Sequence, residues 1–139
     1  MILAIRISGL VDVNENIEKT LFRLRLRRKY SAVILHPTEI NMKLLKLLRN
    51  HLAYGEVNKE TLKDLIEKRA MPLNKSKKIN SEKVLEQLEK NPLDSDIKPF
   101  FRLHPPRGGI DSKNHFGVSR KAVLGDNRDK INDLVRRML

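Results

Sequence analysis

Residues 102–109, with the sequence Arg-Leu-His-Pro-Pro-Arg-Gly-Gly, combine side chains and backbone that are suited to binding phosphate. The planar guanidinium groups of Arg102 and Arg107 can each hold two phosphate oxygens, which a lysine cannot do. Two prolines keep the backbone extended, and two glycines then let it approach another surface closely. A mobile loop in solvent would not need a rigid pair of prolines followed by a flexible pair of glycines. We therefore interpret this stretch as a binding surface for a polyanion.

The next residues, 110–122, continue the basic character and contain few apolar side chains on which to fold. An extended basic segment of this kind usually becomes ordered against its nucleic acid. We predict a basic RNA-binding arm over residues 102–123, in which arginines contact phosphates and histidines hydrogen-bond to bases or stack on them. The predicted contacts in the arm and in the helix after it are Arg102, His104, Arg107, Gly108, Gly109, Lys113, His115, Arg120, Lys121 and Arg128.

The charge of the whole chain favours the same partner. Its 139 residues include 29 Lys and Arg against 17 Asp and Glu, which gives a net charge of +12. A compact protein with that charge repels itself unless a polyanion neutralises it, and nucleic acid is the usual polyanion, with anionic lipid as the alternative. Residues 101–139 hold nine of the basic and four of the acidic side chains. This uneven distribution indicates a directed contact rather than a uniform coat.

Side chains that would support catalysis or bind a metal are few. The chain has no cysteine, so it has neither a thiolate nucleophile nor a cysteine-ligated zinc site. Its four histidines fall at no metal-ligand spacing, and there is no glycine-rich nucleotide loop or nucleophile elbow. No apolar run reaches the length of a membrane span. We therefore expect a cytoplasmic protein that is not an enzyme, needs no cofactor or metal, and binds neither a membrane nor a small-molecule substrate.

Phe100 and Phe101 have two possible roles. The pair can form a platform on which RNA bases stack, or one or both rings can anchor the extended segment in the core. Aromatic residues make up only 4% of the chain, and a small core needs its large apolar groups. We therefore favour the anchoring role.

The elements that position these residues begin with the order β-α-β-α-β in the first 57 residues. Residues 2–7 alternate and are rich in β-branched side chains, residues 31–35 form a short apolar run, and residues 52–57 predict a third strand that is irregular around Gly55. Such a unit typically forms a small three-stranded sheet with helices on one face, as in ferredoxin-like folds. We therefore predict an α+β fold whose other sheet face is free for a partner.

Two amphipathic helices connect these strands. Asn14 or Asn16 caps the first helix, and Thr38 caps the second, which is predicted to run to Asn50. The predicted inward positions are Ile17, Leu21 and Leu24 in the first helix, and Ile40, Leu44, Leu47 and Leu48 in the second. The outward cations extend the predicted RNA-binding surface, and they are Arg23, Arg27, Lys43, Lys46 and Arg49.

The remaining residues, 58–139, are predicted to form an extension of the core at 1–57. Its predicted elements are a helix from Asn58 with Leu62, Leu65 and Ile66 inward, a basic connector at 74–78, a helix from Ser81 to Asn91–Pro92 with Val84, Leu85 and Leu88 inward, an extended segment at 97–103, and a C-terminal helix at 126–138. The extension therefore contributes both helices and the basic arm.

The motif at 102–109 closely resembles a signature in the archaeal members of the large-ribosomal-subunit protein family that is called thirty in archaea and bacteria and seven in eukaryotes. The likeness covers nearly the whole chain, although the other matching stretches are less specific than this motif. Those stretches are 5–9, 54–57, 59–62, 69–73 and 124–138. Two departures accompany it: the linker after residue 72 is short, and residues 111–123 fit the family pattern only loosely.

This resemblance implies a ferredoxin-like core with an archaeal-type extension, and a structural role in the large ribosomal subunit. It implies binding to large-subunit rRNA near the 5S rRNA, beside neighbouring large-subunit proteins, with no catalytic residue and no cofactor. One alternative is a ribosome-biogenesis factor of the same ancestry that binds pre-ribosomal RNA and then leaves. Another is a small-molecule-sensing regulatory domain with the same β-α-β-α-β order, which would need a neutral ligand pocket.

Overall fold

The computed structural model describes residues 1–11, 13–73, 80–90 and 96–139. The predicted connector at 74–78 and the predicted helix end at Asn91–Pro92 lie outside these residues. Within the described ranges, no helix has both the length and the apolar character that crossing a membrane requires.

Six strands form one sheet within the described ranges. They are β1 (Ile2–Arg6), β2 (Ser31–Leu35), β3 (Leu52–Glu56), β4 (Phe101–Arg102), β5 (Asp111–His115) and β6 (Ala122–Asp126), in the order β4-β2-β1-β3-β6-β5. The three predicted strands lie at the centre, where β1 pairs antiparallel with both β2 and β3. The extension adds β4 antiparallel to β2 and β6 parallel to β3. The sheet is therefore wider than the three strands that we predicted.

The described helices are α1 (Glu15–Arg23), α2 (Glu39–Leu47), α3 (Lys59–Arg69), α4 (Ser81–Lys90) and α5 (Ile131–Met138). The predicted caps of the first two are confirmed. The Asn14 side chain accepts a hydrogen bond from the Asn16 backbone N–H, and the Thr38 hydroxyl accepts one from Asn41. These side chains satisfy N–H groups that have no partner inside the helix.

Apolar cores lie on both faces of the sheet. Helices α1 and α2 cover the face that carries Ile2 and Ala4, whereas α3, α4 and α5 cover the face that carries Leu3 and Ile5. The expectation of a free sheet face is therefore wrong. Its physical reason lies in β1, where all five residues are buried. A strand with apolar side chains on both sides needs cover on both. The α+β class and the ferredoxin-like core are confirmed.

The predicted inward face of α2 is only partly correct, since the predicted Leu48 is buried and Leu44 is half-buried, whereas two other predicted residues are exposed. Leu45 and Leu48 are fully buried, but Ile40 is 73% exposed and Leu47 is 63% exposed. Helix α2 and its C-cap contain so many apolar residues that two different stripes satisfy the helical spacing. Packing against β1 and β3 selects the stripe that includes Leu45.

Gly55 allows a turn to pack closely over β3. The strand is regular there, with Leu3 opposite Gly55, so the predicted irregularity is absent. A Cβ at this position would clash with the carbonyl oxygen of Arg128, which lies in a 3-10 turn, Arg128–Lys130. The C-terminal helix consequently begins at Ile131 rather than at residue 126, because residues 122–126 form β6.

Arg6 is the one fully buried charged side chain among the described residues. Its guanidinium donates to the carbonyl oxygens of Ser8 at 3.1 Å and Gly9 at 2.7 Å, beyond the end of β1. It also donates to the carbonyl oxygens of Leu26 at 2.8 Å and Arg27 at 3.2 Å, in the loop after α1. Burial lowers the pKa of Arg6, and the negative charge of Glu18 partly opposes that shift. Arg6 thus joins two loops through four backbone oxygens.

Replacing Arg6 with methionine removes these hydrogen bonds and leaves buried carbonyl oxygens without donors. We expect the free energy of unfolding to fall by about 3–5 kcal/mol. Urea denaturation followed by circular dichroism measures the change. The exposed Arg28 offers a matched control, and Arg28→Met is expected to change stability by less than about 0.5 kcal/mol. A loss below about 1 kcal/mol in Arg6→Met would contradict the role given to Arg6.

His51 makes the stability of this region depend on pH. Its Nδ1 lies 3.0 Å from the Ser8 hydroxyl, and its carbonyl oxygen accepts hydrogen bonds from the N–H groups of Ile7 and Ser8. Burial, and then the nearby charge of Arg6, lowers the pKa of His51 from its ordinary value of 6.5. The unfolded chain therefore binds a proton more readily than the folded protein, and stability is lost as the pH falls below about 6.5.

When the pH is lowered from 7.5 to 5, we expect the His51→Gln variant to lose less stability than the unaltered protein, because glutamine does not bind a proton in this range. Thermal unfolding midpoints at the two pH values measure this difference. An identical drop in both proteins would show that His51 does not contribute.

Candidate nucleic-acid interface

The loop that follows α1 places an arginine in a backbone conformation that usually holds glycine. The Leu26 N–H donates to the Leu21 carbonyl, and the Arg25 N–H donates to the Phe22 carbonyl, which together close the helix in a Schellman motif. Arg25 has φ of 62°, in the left-handed region. A side chain there costs about 1 kcal/mol relative to glycine. Tyr30 and Arg128 also have positive φ among the described residues, but neither lines the cleft described next.

Five arginines surround one open cleft of about 550 Å³, which we name the arginine cleft. The residues that line it are Phe22, Arg23, Arg25, Arg27, Arg28, Ser31, Phe100 and Arg102. Arg102 reaches the cleft because β4 pairs with β2, with Arg102 opposite Ser31. Among the described residues, no carboxylate lines the cleft and none forms an ion pair with its arginines. The cleft therefore concentrates positive potential.

The arginine cleft brings together three of the predicted RNA contacts, Arg23, Arg27 and Arg102. It also contains Arg25 and Arg28, which were not among the predicted contacts. Their signal in the sequence is the run Arg-Leu-Arg-Leu-Arg-Arg at 23–28, in which arginines alternate with leucines. The run was treated as the end of a helix, whereas the helix ends at Arg23 and the following loop turns the side chains into one cleft.

Two phenylalanine rings stand among these arginines. The guanidinium carbon of Arg27 lies 5.7 Å from the centre of the Phe22 ring, and that of Arg102 lies 5.8 Å from the centre of the Phe100 ring. Both distances suit a cation–π contact. Phe101 is 2% exposed and packs in the core, so the preferred anchoring role is confirmed for Phe101. Phe100 packs only partly against the core and also lines the cleft.

The predicted arm is held against the end of α5. The N–H of His104 donates to the Met138 carbonyl, and the N–H of Arg107 donates to the Arg137 carbonyl, both at 2.9 Å. The Arg137 side chain donates in return to the carbonyl oxygens of Arg107 and Gly109. The last carbonyls of a helix have no partner inside it, so the arm supplies donors that α5 needs. Residues 102–123 therefore do not form one continuous extended segment, and part of them forms β5.

A second basic surface lies beside this arm, at a cavity of about 290 Å³ that we name the C-terminal basic pocket. Its cationic lining comprises Arg120, Lys121, Lys130 and Arg137, with the single carboxylate of Asp133. Lys121 also donates to the Gly108 carbonyl at 3.1 Å, so the pocket is joined to the arm. Two of these cations, Arg120 and Lys121, are among the predicted contacts.

Other predicted contacts lie apart from both surfaces. Lys43 pairs with Glu39 at 2.7 Å on α2, where Lys46 is also exposed, and the exposed Arg49 follows the end of that helix. Arg128 lines a cavity together with Glu56, Asp126 and Asp129, whose charges oppose phosphate binding. The remaining two are on β5, where Lys113 is exposed and the half-buried His115 ring lies close to Gly125.

Asp111 organises the loop that leads from β5 to β6. Its carboxylate accepts hydrogen bonds from the Asn114 side chain, the Lys113 backbone and the Ser119 hydroxyl. These bonds lower the pKa of Asp111, with Asn114 as the largest cause. The carboxylate shapes a basic loop without pairing with its cations, so Arg120 and Lys121 keep their charge available.

The two basic surfaces lie at opposite edges of the sheet. The arginine cleft lies at β4, and the C-terminal basic pocket lies by the β5–β6 loop, five strand positions away. Across the residues that the structure describes, no group of three or more His, Cys, Asp or Glu side chains is arranged to hold a metal ion.

Known proteins resemble this chain along almost its full length, although no family model matches it. A Large ribosomal subunit protein uL30 from Methanococcus maripaludis is 36% identical over 152 residues, covering 97% of each chain. Proteins of the same name from Archaeoglobus fulgidus and Aeropyrum pernix are 33% and 34% identical, covering 96% or more of each chain. The chain belongs to the uL30 family. The family resemblance drawn from residues 102–109 is therefore confirmed.

The alignment of this uL30-family chain with one relative contains gaps in the chain. Its alignment with the Methanococcus maripaludis protein spans 152 residues, whereas the chain has 139. The alignment must therefore contain positions that only the relative fills. That the gaps lie in the linker after residue 72 stays a prediction.

The Arg137 side chain is expected to control the mobility of the arm. In Arg137→Met the carbonyl oxygens of Arg107 and Gly109 lose charged donors, so amide hydrogen exchange at Arg107 and Gly109 should accelerate about tenfold. Exchange measured by NMR tests this, and the thermal midpoint should change little. The neighbouring Arg136, exposed and 3.7 Å from Glu60, offers the control, since Arg136→Met should leave exchange in the arm unchanged. Equal exchange rates in both variants would contradict the proposed hold on the arm.

Proposed function

We propose that this protein binds large-subunit rRNA at two surfaces, the arginine cleft and the C-terminal basic pocket with its arm. As a member of the uL30 family, the chain is a structural constituent of the large ribosomal subunit, in the cytoplasm. The single observation that carries the binding proposal is the arginine cleft, where five guanidinium groups meet without a carboxylate among the described residues. Such a group of like charges repels itself until phosphates neutralise it.

The placement of the charges favours RNA over the other polyanions. Each arginine side chain can hold two phosphate oxygens at once. The cations of the arginine cleft are all arginines, and those of the C-terminal basic pocket are two arginines and two lysines. Because the two surfaces lie toward opposite edges of the sheet, they suit two backbone segments of a folded RNA rather than one small anion. In this proposal the protein joins two rRNA segments, recognises them through shape and phosphate geometry, and catalyses no reaction.

We also propose that the bound rRNA lies near the 5S rRNA and that other large-subunit proteins are neighbours. The support is the resemblance of residues 102–109 to the family signature. Cross-linking from a photoreactive residue at position 107 in intact subunits tests this part separately, since it asks which RNA and which proteins lie within reach of the arm.

The salt dependence of binding tests the electrostatic proposal. If about six to ten phosphates are neutralised, affinity for large-subunit rRNA should fall by about 10³–10⁵ between 50 mM and 200 mM salt. Filter binding with the isolated protein measures the slope. A slope near zero would rule out phosphate contacts as the source of affinity.

Single arginine variants assign the contacts. Arg102→Ala and Arg107→Ala are each expected to weaken rRNA binding and to reduce the salt slope by about one. Both side chains are exposed, so the unfolding midpoints should stay close to that of the parent protein. The control is Lys19→Ala on α1, because Lys19 is paired with Glu15 and lies outside the cleft. Unchanged RNA affinity in both arginine variants would contradict the assignment.

A further inference from the structure

We propose that the arginine cleft binds an unpaired RNA nucleotide, with its base stacked on the exposed ring of Phe22 and its flanking phosphates held by the arginines. This inference rests on the proposed function and names the RNA feature that one of its two surfaces recognises. The cleft is lined by two aromatic rings and five guanidinium groups, which are the side-chain planes on which splayed-out bases stack.

The shape of the cleft separates an unpaired base from a paired helix. A duplex presents its phosphates on a convex surface and hides its bases, so a flat basic patch is enough to bind it. The arginine cleft has a volume of about 550 Å³, within the range of pockets that enclose small organic ligands. A cavity of this size admits a planar base together with part of its sugar.

Phe22 is placed where it is available to such a base. The ring is 40% exposed, although it lies on α1 directly beside the fully buried Leu21. Burial of a phenylalanine is favourable, so an exposed ring among arginines gives up stabilisation that burial would provide. The guanidinium of Arg27 lies over this ring, 5.7 Å from its centre, in a cation–π contact that holds the ring in position.

Arg25 gives a second, independent sign that this site is kept for a ligand. It takes the left-handed position at the end of α1, where glycine would be unstrained, and its side chain lines the same cleft. An exposed ring, a strained arginine and like charges without an ion pair among the described residues each lower stability, and this cleft combines the three. Residues that lower the stability of the fold and that cluster at one place are typical of binding sites.

Two labelled RNA hairpins test the inference. They have the same loop and the same stem sequence, except that the stem of one carries a bulge of three unpaired adenosines and the stem of the other is fully paired. Fluorescence anisotropy at fixed salt gives the dissociation constants. We expect the bulged hairpin to bind about tenfold more tightly, as stacking of one base on an aromatic ring provides.

Variants of the aromatic rings assign this preference to the cleft. Phe22→Leu is expected to reduce the preference to less than about twofold while leaving affinity for the paired hairpin nearly unchanged, and Phe22→Tyr is expected to retain it. The matched control is Phe116→Leu, because Phe116 is 41% exposed and lines the C-terminal basic pocket instead. That variant should keep the full preference.

A glycine variant tests the strained arginine. Arg25→Gly is expected to raise the thermal unfolding midpoint, because glycine relieves the left-handed strain, and to weaken binding of the bulged hairpin several-fold. A lower midpoint would contradict the strain assigned to Arg25, and unchanged affinity for the bulged hairpin would show that its side chain does not contact the RNA.

The outcomes separate this inference from the proposed function. Salt-dependent binding that is equal for the two hairpins overturns the base-binding inference and leaves RNA binding standing. A preference that survives in Phe22→Leu also overturns it, since the base would then bind elsewhere. Absence of binding to both hairpins and to large-subunit rRNA overturns both proposals.

Discussion

The guanidinium of Arg6 connects the centre of the sheet to the part of the surface that carries the most charge. Its bonds to the Leu26 and Arg27 carbonyls fix the loop from which three of the cleft arginines project. The partners are backbone oxygens, so the buried cation is stabilised by dipoles and needs no carboxylate. A carboxylate at this place would have weakened the positive potential of the cleft above it. Neutral partners let the protein keep a rigid loop and a fully cationic surface together.

The two apolar cores explain how such a surface is tolerated. Mutual repulsion among the cleft arginines and the strain at Arg25 oppose folding. Burial on both faces of β1 supplies stability from side chains that take no part in binding. Because the helices occupy both faces, the edges of the sheet and the loops beside them are left for the partner. The basic surfaces lie at these edges.

Local features could be predicted from the sequence because short-range chemistry determines them. Strand β2 follows from a β-branched run, and the N-terminus of α2 follows from the hydroxyl of Thr38. The face that α2 buries was not predictable in the same way, since its leucines satisfy two stripes and only contact with β1 and β3 chooses between them. Gly55 appeared to interrupt a strand, whereas its reason is the approach of a carbonyl more than seventy residues later in the chain.

The candidate site also combines features that neighbouring residues determine with features that depend on contacts between distant parts of the chain. The phosphate binding proposed for Arg102 and Arg107 could be predicted from the residues next to them in the chain, two prolines and two glycines. The meeting of Arg102 with the loop after α1 depends on the pairing of β4 with β2, a contact between residues about seventy positions apart. Arg6 was read as an ordinary strand residue, because sequence alone does not reveal that four carbonyl oxygens converge on it.

The strand order also has a consequence for synthesis of the chain. Strands β1, β2 and β3 occupy the centre of the sheet and come from the first 56 residues, whereas β4, β5 and β6 come from the last 39. A growing chain leaves the ribosome from its N-terminus, so the centre can pair while the edges are still being made. Arg102, the arm and α5 emerge last. Both basic edges therefore include residues that are made after the three central strands, so the proposed RNA contacts are assembled on a sheet whose centre can already be paired.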